Sequence, residues 1–328
     1  MKKDKTKLAL KFILISIPLI IICIIAYIIP MSYMSQEYVL WKEEKDYVNN
    51  SDSGKVRNII VGDSRAKASI IPEMLDAEGK LYNIGIGGAT SIEMYYAVNN
   101  FINVHGAPET AVVIFAPYHF CDIDNWDQTL FTNYLTVPET ISVYADALRF
   151  GEGAIAKKGA LTDMISFRLR LPTKYLAQMY EAHFTGYEDI NTQKYEQIRK
   201  DRGYCEFGSD DENDGESYEV HHEDFDSSDM VLYYYERLIG ELSSNNTRIY
   251  ILQAPVNEVS SKAIHPEFVK GYQEFLEDIK EKYPDIYLMK DIPEYDNGYF
   301  GDNNHLNRRG AEKYTHWLKE ESGIDIFR

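Results

Sequence analysis

The chain has little cysteine, a deficit of basic charge and, past its first thirty residues, no long apolar run. Three cysteines in 328 residues cannot staple a disulfide scaffold. Cys23 lies in the amino-terminal apolar run, and Cys121 and Cys205 are too far apart in sequence to specify a bridge. No metal-ligand spacing surrounds them, so no metal and no cofactor are expected. Lysine and arginine number 34 against 52 aspartates and glutamates, for a net charge of −18. Nucleic acid and direct adsorption to anionic lipid both need a basic surface, and both are excluded as partners. No internal repeat is present.

The first thirty residues break the pattern. Lys2, Lys3, Lys5, Lys7 and Lys11 precede an uncharged run from Phe12 to Ile29. Roughly 18 residues at 1.5 Å rise nearly match a hydrocarbon core of about 30 Å. The lysines orient the amino terminus to the cytoplasm and the remainder outside. A cleaved signal peptide is the competing reading; it has a shorter apolar region and a small-residue cleavage site, and IIPMSYMSQ follows here. Residues 1–30 are therefore expected to be a cytoplasmic tail and transmembrane anchor, 31–55 a polar juxtamembrane stalk, and 56–328 one extracytoplasmic domain.

That domain reads as α/β. VRNIIVG, KLYNIGIGG, AVVIFAP, TRIYILQAP and DIYLMKD are short apolar runs suited to parallel strands buried on both faces. Between the second and third, Thr90 and Glu93 form a capping-box signature ahead of Met94, Val98, Phe101 and Ile102. Between the fourth and fifth, Pro266 opens a helix with Phe268, Tyr272, Phe275 and Ile279 on one face. Alternation of this kind implies a doubly wound sheet with right-handed crossovers. Residues 120–228 are too long for a connection and read as a helical and loop insertion, a subdomain or lid. Its acidic stretch reads as a solvated loop. Asp210, Glu212, Asp214 and Gly215 have calcium-loop spacing, but His221 stands where the closing glutamate belongs.

Two short strings carry the chemistry, GDSRA at 62–66 and DNNHL at 302–306. Ser64 follows the first strand, at the sheet edge where open α/β folds bind ligands. His305 supplies a base for its hydroxyl proton, and Asp302, three residues earlier, an orienting carboxylate. Ser64 also reads as a plain helix cap and the Asp302–His305 string as a helix-entry loop, if the fold leaves them apart. Arg65 reads as a surface arginine or, being next to Ser64, as a contact for an anionic substrate group, His221 and His222 as exposed, and His316 as lying on the last helix.

With GDSRA, NIGIGGAT and DNNHL in this order, the chain resembles the SGNH, or GDSL-like, hydrolase superfamily over about 56–118 and 229–318. The resemblance implies a flavodoxin-like three-layer α/β/α sandwich with a central parallel sheet of about five strands. It makes Ser64 the nucleophile, Asp302 and His305 the orienter and base, and the backbone N–H groups of Ser64 and Gly88 the oxyanion donors. The family's asparagine after the third strand is missing. Tyr118, His119 or, after the fourth strand, Asn257 would replace it; the first two also read as aromatics packing under the insertion. More loosely, the anchor and the PVN string resemble the DltD-like proteins of teichoic-acid D-alanylation.

The expected function is a membrane-anchored serine esterase or O-acyltransferase working through an acyl-enzyme. Its expected partner is an acylated cell-envelope polymer, such as a glycan or teichoic-acid-like chain, or a small ester. The alternative is a catalytically decayed relative serving as a binding or assembly factor in envelope biogenesis. A ligand-binding domain without a convergent Ser, His and Asp is a third reading.

Overall fold

The computed structural model describes residues 2–28, 38–50, 56–121, 134–152, 162, 165, 180 and 186–324. Five parallel strands form its central sheet: β1 (Asn58–Gly62), β2 (Leu81–Asn83), β3 (Thr110–Ile114), β4 (Arg248–Ile251) and β6 (Tyr287–Leu288). They lie in the order β2-β1-β3-β4-β6. A separate parallel pair joins β5 (Val256–Asn257) to β7 (Glu294–Tyr295). Each expected apolar run yields a strand of the main sheet, shortened at its ends where backbone partners stop.

The helices in chain order are α1 (Lys2–Ile28), α2 (Tyr38–Val48), α3 (Ser64–Ser69), α4 (Pro72–Leu75), α5 (Ser91–His105), α6 (Val137–Phe150) and α7 (Glu188–Lys200). They continue with α8 (Asp229–Ser244), α9 (Glu258–Ala263), α10 (Pro266–Lys282) and α11 (Arg308–Glu320). Alternate strand residues feed two cores. Ile59, Val61, Ala111 and Val113 meet α5, α8 and α10 through Met94, Phe101, Tyr234, Leu238 and Leu276. Ile60, Val112 and Ile114 meet α3 and α11 through Ala66, Tyr314 and Leu318. Each fully buried apolar side chain contributes roughly 1.5–3 kcal/mol against chain entropy. Layers on both faces of the sheet follow from this alternation.

Local signals fix the helix ends. The capping box of α5 forms, with Thr90 and Glu93 closing on each other's backbone. Pro266 begins α10, and the Asn307 side chain accepts from the Gly310 N–H to begin α11.

Three expectations are corrected. Residues 38–48 of the expected stalk form α2, which enters the core with Trp41, Tyr47 and Val48 buried. Its tyrosine, tryptophan and valines supply an apolar face that a solvated stalk would leave wet. The described parts of the 120–228 insertion share the domain's cores: Val143 and Ala147 of α6 join one, and Ile198 of α7 packs on Val39 and Leu40 of α2. The acidic stretch is not simply solvated, because Ser217 and Glu219 within it are buried.

Among the described residues no helix is long and apolar enough to cross a membrane. The helix α1 runs 27 residues. Side chains within it are described without interruption over 11–25, so the span expected over 12–29 lies partly outside the described residues.

Candidate active site

The strand β1 ends on Gly62, whose φ of +149° brings it against β3. A Cβ there would sit 1.7 Å from the Ile114 carbonyl oxygen. Glycine is required, and the chain turns at once into Asp63 and Ser64. Asp63 caps α3, its carboxylate accepting the Arg65 N–H at 2.8 Å. Ser64 thus stands at the first position of a helix beyond the carboxyl end of β1.

The loop before α11 brings His305 to it. Ser64 Oγ lies 2.7 Å from His305 Nε2. His305 Nδ1 lies 2.9 Å from both Asp302 oxygens, a contact that puts the ring proton on Nδ1 and leaves Nε2 to accept from the serine. Asp302 Oδ1 also accepts the backbone N–H groups of Asn304 and His305, each at 2.8 Å. Burial alone would raise the Asp302 pKa, yet the His305 contacts and these two N–H groups together hold it below the ordinary value. The carboxylate stays charged and the imidazole stays oriented.

Sequence reasoning missed the next shell. Phe207 stacks on His305 with ring centroids 4.6 Å apart. Gly208 makes this possible: its φ is +71°, and a Cβ would lie 2.0 Å from the Gly301 carbonyl oxygen. Asp63 holds His119, Nδ1 to Oδ2 at 2.6 Å, and the same oxygen accepts the Ala116 N–H at 2.7 Å. Arg65 is buried and paired to Glu219 at 2.7 Å, not at the surface. Asp63 sat inside the GDS string itself; Phe207 and Glu219 had no local signal, because their partners lie far along the chain.

The glycine loop after β2 is held beside the Ser64 turn. Ile86 N–H donates to the Gly62 carbonyl at 3.0 Å. Asn83 donates to the Ala66 carbonyl at 2.8 Å and accepts the Gly85 N–H at 2.9 Å. Lys67, fully buried on α3, donates to the Gly85 carbonyl at 3.0 Å. Gly88 follows on this loop, partly exposed, with φ +69°.

The three candidates for the missing asparagine separate on chemistry. Asn257 caps α9 through Oδ1 and donates from Nδ2 to the Asn213 and Gly215 carbonyls, at 3.2 and 2.8 Å. Its amide is engaged in the acidic loop, which corrects the expectation that it serves an oxyanion. His119 turns Nδ1 to Asp63 at 2.6 Å, so that nitrogen is engaged in tying the end of β3 to the end of β1. Tyr118 is a phenol whose pKa burial raises, followed by the charge of Asp63, so it keeps its proton. Its ring leans edge-on against His119 and Tyr218.

His221 is exposed and His316 lies on α11, both as read from sequence, whereas His222 is half-buried and stacked on Phe268. Among the described residues no cluster of His, Cys, Asp or Glu could hold a metal ion.

No family model matches the chain. A search of curated proteins finds no match either.

Proposed function

We propose that this chain is an SGNH-type serine acyl hydrolase or O-acyltransferase on a flavodoxin-like sandwich. The observation that carries the reading is the relay of Ser64 Oγ to His305 Nε2 at 2.7 Å and of His305 Nδ1 to Asp302 at 2.9 Å. It joins residues 241 positions apart. A helix cap and an unrelated loop have no reason to converge so. The strand order β2-β1-β3-β4-β6 supports the reading, because flavodoxin-like sheets run 2-1-3-4-5 and bind ligands where the loops after the first and third strands diverge. Ser64 follows β1, and Tyr118 follows β3.

In the proposed reaction the Ser64 hydroxyl adds to an ester carbonyl as its proton passes to His305 Nε2. The backbone N–H groups of Ser64 and Gly88 and the Tyr118 hydroxyl steady the oxyanion. The tetrahedral species collapses to an acyl-serine as His305 returns its proton to the departing alcohol. Water, or a polymer hydroxyl, then repeats the addition, which regenerates Ser64. Residues 12–29 would anchor the domain outside the membrane, within reach of an acylated envelope glycan or teichoic-acid-like polymer.

The test is covalent labelling. A serine-directed fluorophosphonate is expected to modify Ser64 in the wild-type protein and to leave Ser64→Ala unlabelled, with hydrolysis of a p-nitrophenyl ester lost in parallel. A folded wild-type protein that takes no label would overturn the assignment.

A further inference from the structure

The acidic segment reaches into the site. From 207 to 219 it lies along the loop that carries Asp302 and His305: Asp210 N–H donates to the Gly301 carbonyl at 3.0 Å, and Asn303 Nδ2 to the Glu216 carbonyl at 2.9 Å. At its end Glu219, fully buried, accepts from Arg65 Nη2 at 2.7 Å. The same Nη2 lies 3.2 Å from Asn304 Oδ1, which also accepts the Tyr218 N–H at 3.2 Å.

These contacts make a closed frame. Arg65 is covalently next to Ser64, Asn304 is next to His305, and Glu219 belongs to neither element. Arg65 is only 2% exposed, and its Nε and Nη1, like Glu219 Oε1, have no hydrogen-bond partner among the described residues. Desolvating such a pair costs about as much as its attraction returns, so it is a poor source of stability. What it does supply is one allowed position for each partner. Its charge matched by Glu219, Arg65 is also unsuited to binding an anionic substrate group.

We propose that Glu219 is a positioning residue: by holding Arg65 against Asn304 it sets the Asp302–His305 turn at proton-transfer distance from Ser64. The acidic segment is on this view a working part of the site rather than a lid. The proposal rests on the acyl-transfer reading for its kinetic arm alone.

The experiment compares full-length wild type with Glu219→Gln, Glu219→Asp, Asn304→Ala and the Glu219→Gln/Asn304→Ala double variant. Two readouts are taken, ester hydrolysis with fluorophosphonate labelling, and amide hydrogen exchange of residues 302–307. A misplacement of about 1 Å costs on the order of 10² in rate, so a loosened turn is expected to lower kcat about tenfold and leave KM within about twofold. Exchange at 304 and 305 is expected to quicken by a similar factor. Glu219→Asp, which keeps the charge, should recover part of both. The double variant should be no worse than the worse single, since both cuts fall on the same arginine. Unchanged kcat and exchange in Glu219→Gln, or additive losses in the double variant, would overturn the proposal. If the wild type takes no label at Ser64, the acyl-transfer reading fails separately, while exchange still decides whether Glu219 holds the turn. Should Glu219→Gln not fold, Glu219→Asp and Asn304→Ala carry the same comparison.

Discussion

Two aspartate–histidine pairs stand on either side of Ser64, and the contrast between them shows how one chemistry serves two ends. Asp302 and His305 are three residues apart on a turn, with side chains 31% and 14% exposed, and the ring's second nitrogen meets a hydroxyl. Asp63 and His119 are 56 residues apart and buried, and the carboxylate's other contacts are the N–H groups of Arg65 and Ala116. In both pairs burial would raise the carboxyl pKa, and in both the histidine and backbone donors outweigh it. The difference lies in what else each pair touches. The first pair ends on the Ser64 hydroxyl. The second ties the end of β1 to the end of β3 and so fixes the floor on which Ser64 stands.

Substitution at the two aspartates should therefore read out differently. Asp302→Asn is expected to lower ester turnover by about 10³ to 10⁴, through loss of the ring's orientation and tautomer, while urea unfolding shifts by less than about 1 kcal/mol. Asp63→Asn is expected to destabilise the fold by about 3 kcal/mol, because one amide cannot accept from Arg65, Ala116 and His119 together and leaves buried donors unmet. Its pH dependence has a definite sign. The folded Asp63 pKa lies below the unfolded value of 3.8, so its contribution is complete above that pH and is lost as pH falls through the folded value. Chemical denaturation of wild type and Asp63→Asn between pH 2 and 6 checks this. If Asp63→Asn kept its stability and lost its turnover, the two pairs would not be the different things they look to be.

The first pair was legible in the sequence, and the second was not. Three residues on a tight turn suffice to bring Asp302 onto His305, so the contact is local and its spacing is diagnostic. The parallel strands that carry Ser64 toward them were equally readable, since Ile59 to Val61 and Ala111 to Ile114 are buried on both faces. Asp63 and His119 meet only because β1 and β3 are neighbours in register, Gly62 opposite Ile114. Arg65 with Glu219 and His305 with Phe207 are likewise products of tertiary packing. Charge composition misled in the same region: a run of aspartates and glutamates reads as solvated, yet one glutamate among them faces a buried arginine. The helix α2 escaped recognition for a related reason, since Glu43 and Glu44 sit in its middle and only their buried partners, Tyr82 and Lys67 for the first and Tyr134 for the second, explain them.

Glu44 supplies the limiting case of the comparison, a buried carboxyl without a histidine. Tyr134 donates to it at 2.9 Å. Burial is the largest influence, and although the Tyr134 hydrogen bond opposes it, the adjacent Glu43 reinforces it, so Glu44 is pushed up to about 8 from an ordinary 4.5. The sign is the reverse of that at Asp63. Between pH 4.5 and about 8 the folded chain holds a proton that the unfolded chain has released, so stability falls as pH rises across that window and levels off above it. The slope should approach, and not exceed, about 1.4 kcal/mol per pH unit. Glu44→Gln, neutral at every pH and still able to accept from Tyr134, should flatten the slope between pH 5 and 8 and leave fluorophosphonate labelling of Ser64 unchanged. Equal slopes in the two proteins would mean that Glu44 is ionised in the fold, with Lys67 and Lys45 compensating it. Burial would then not be what separates this carboxyl from the two aspartates, and the histidine would lose its place as the deciding partner.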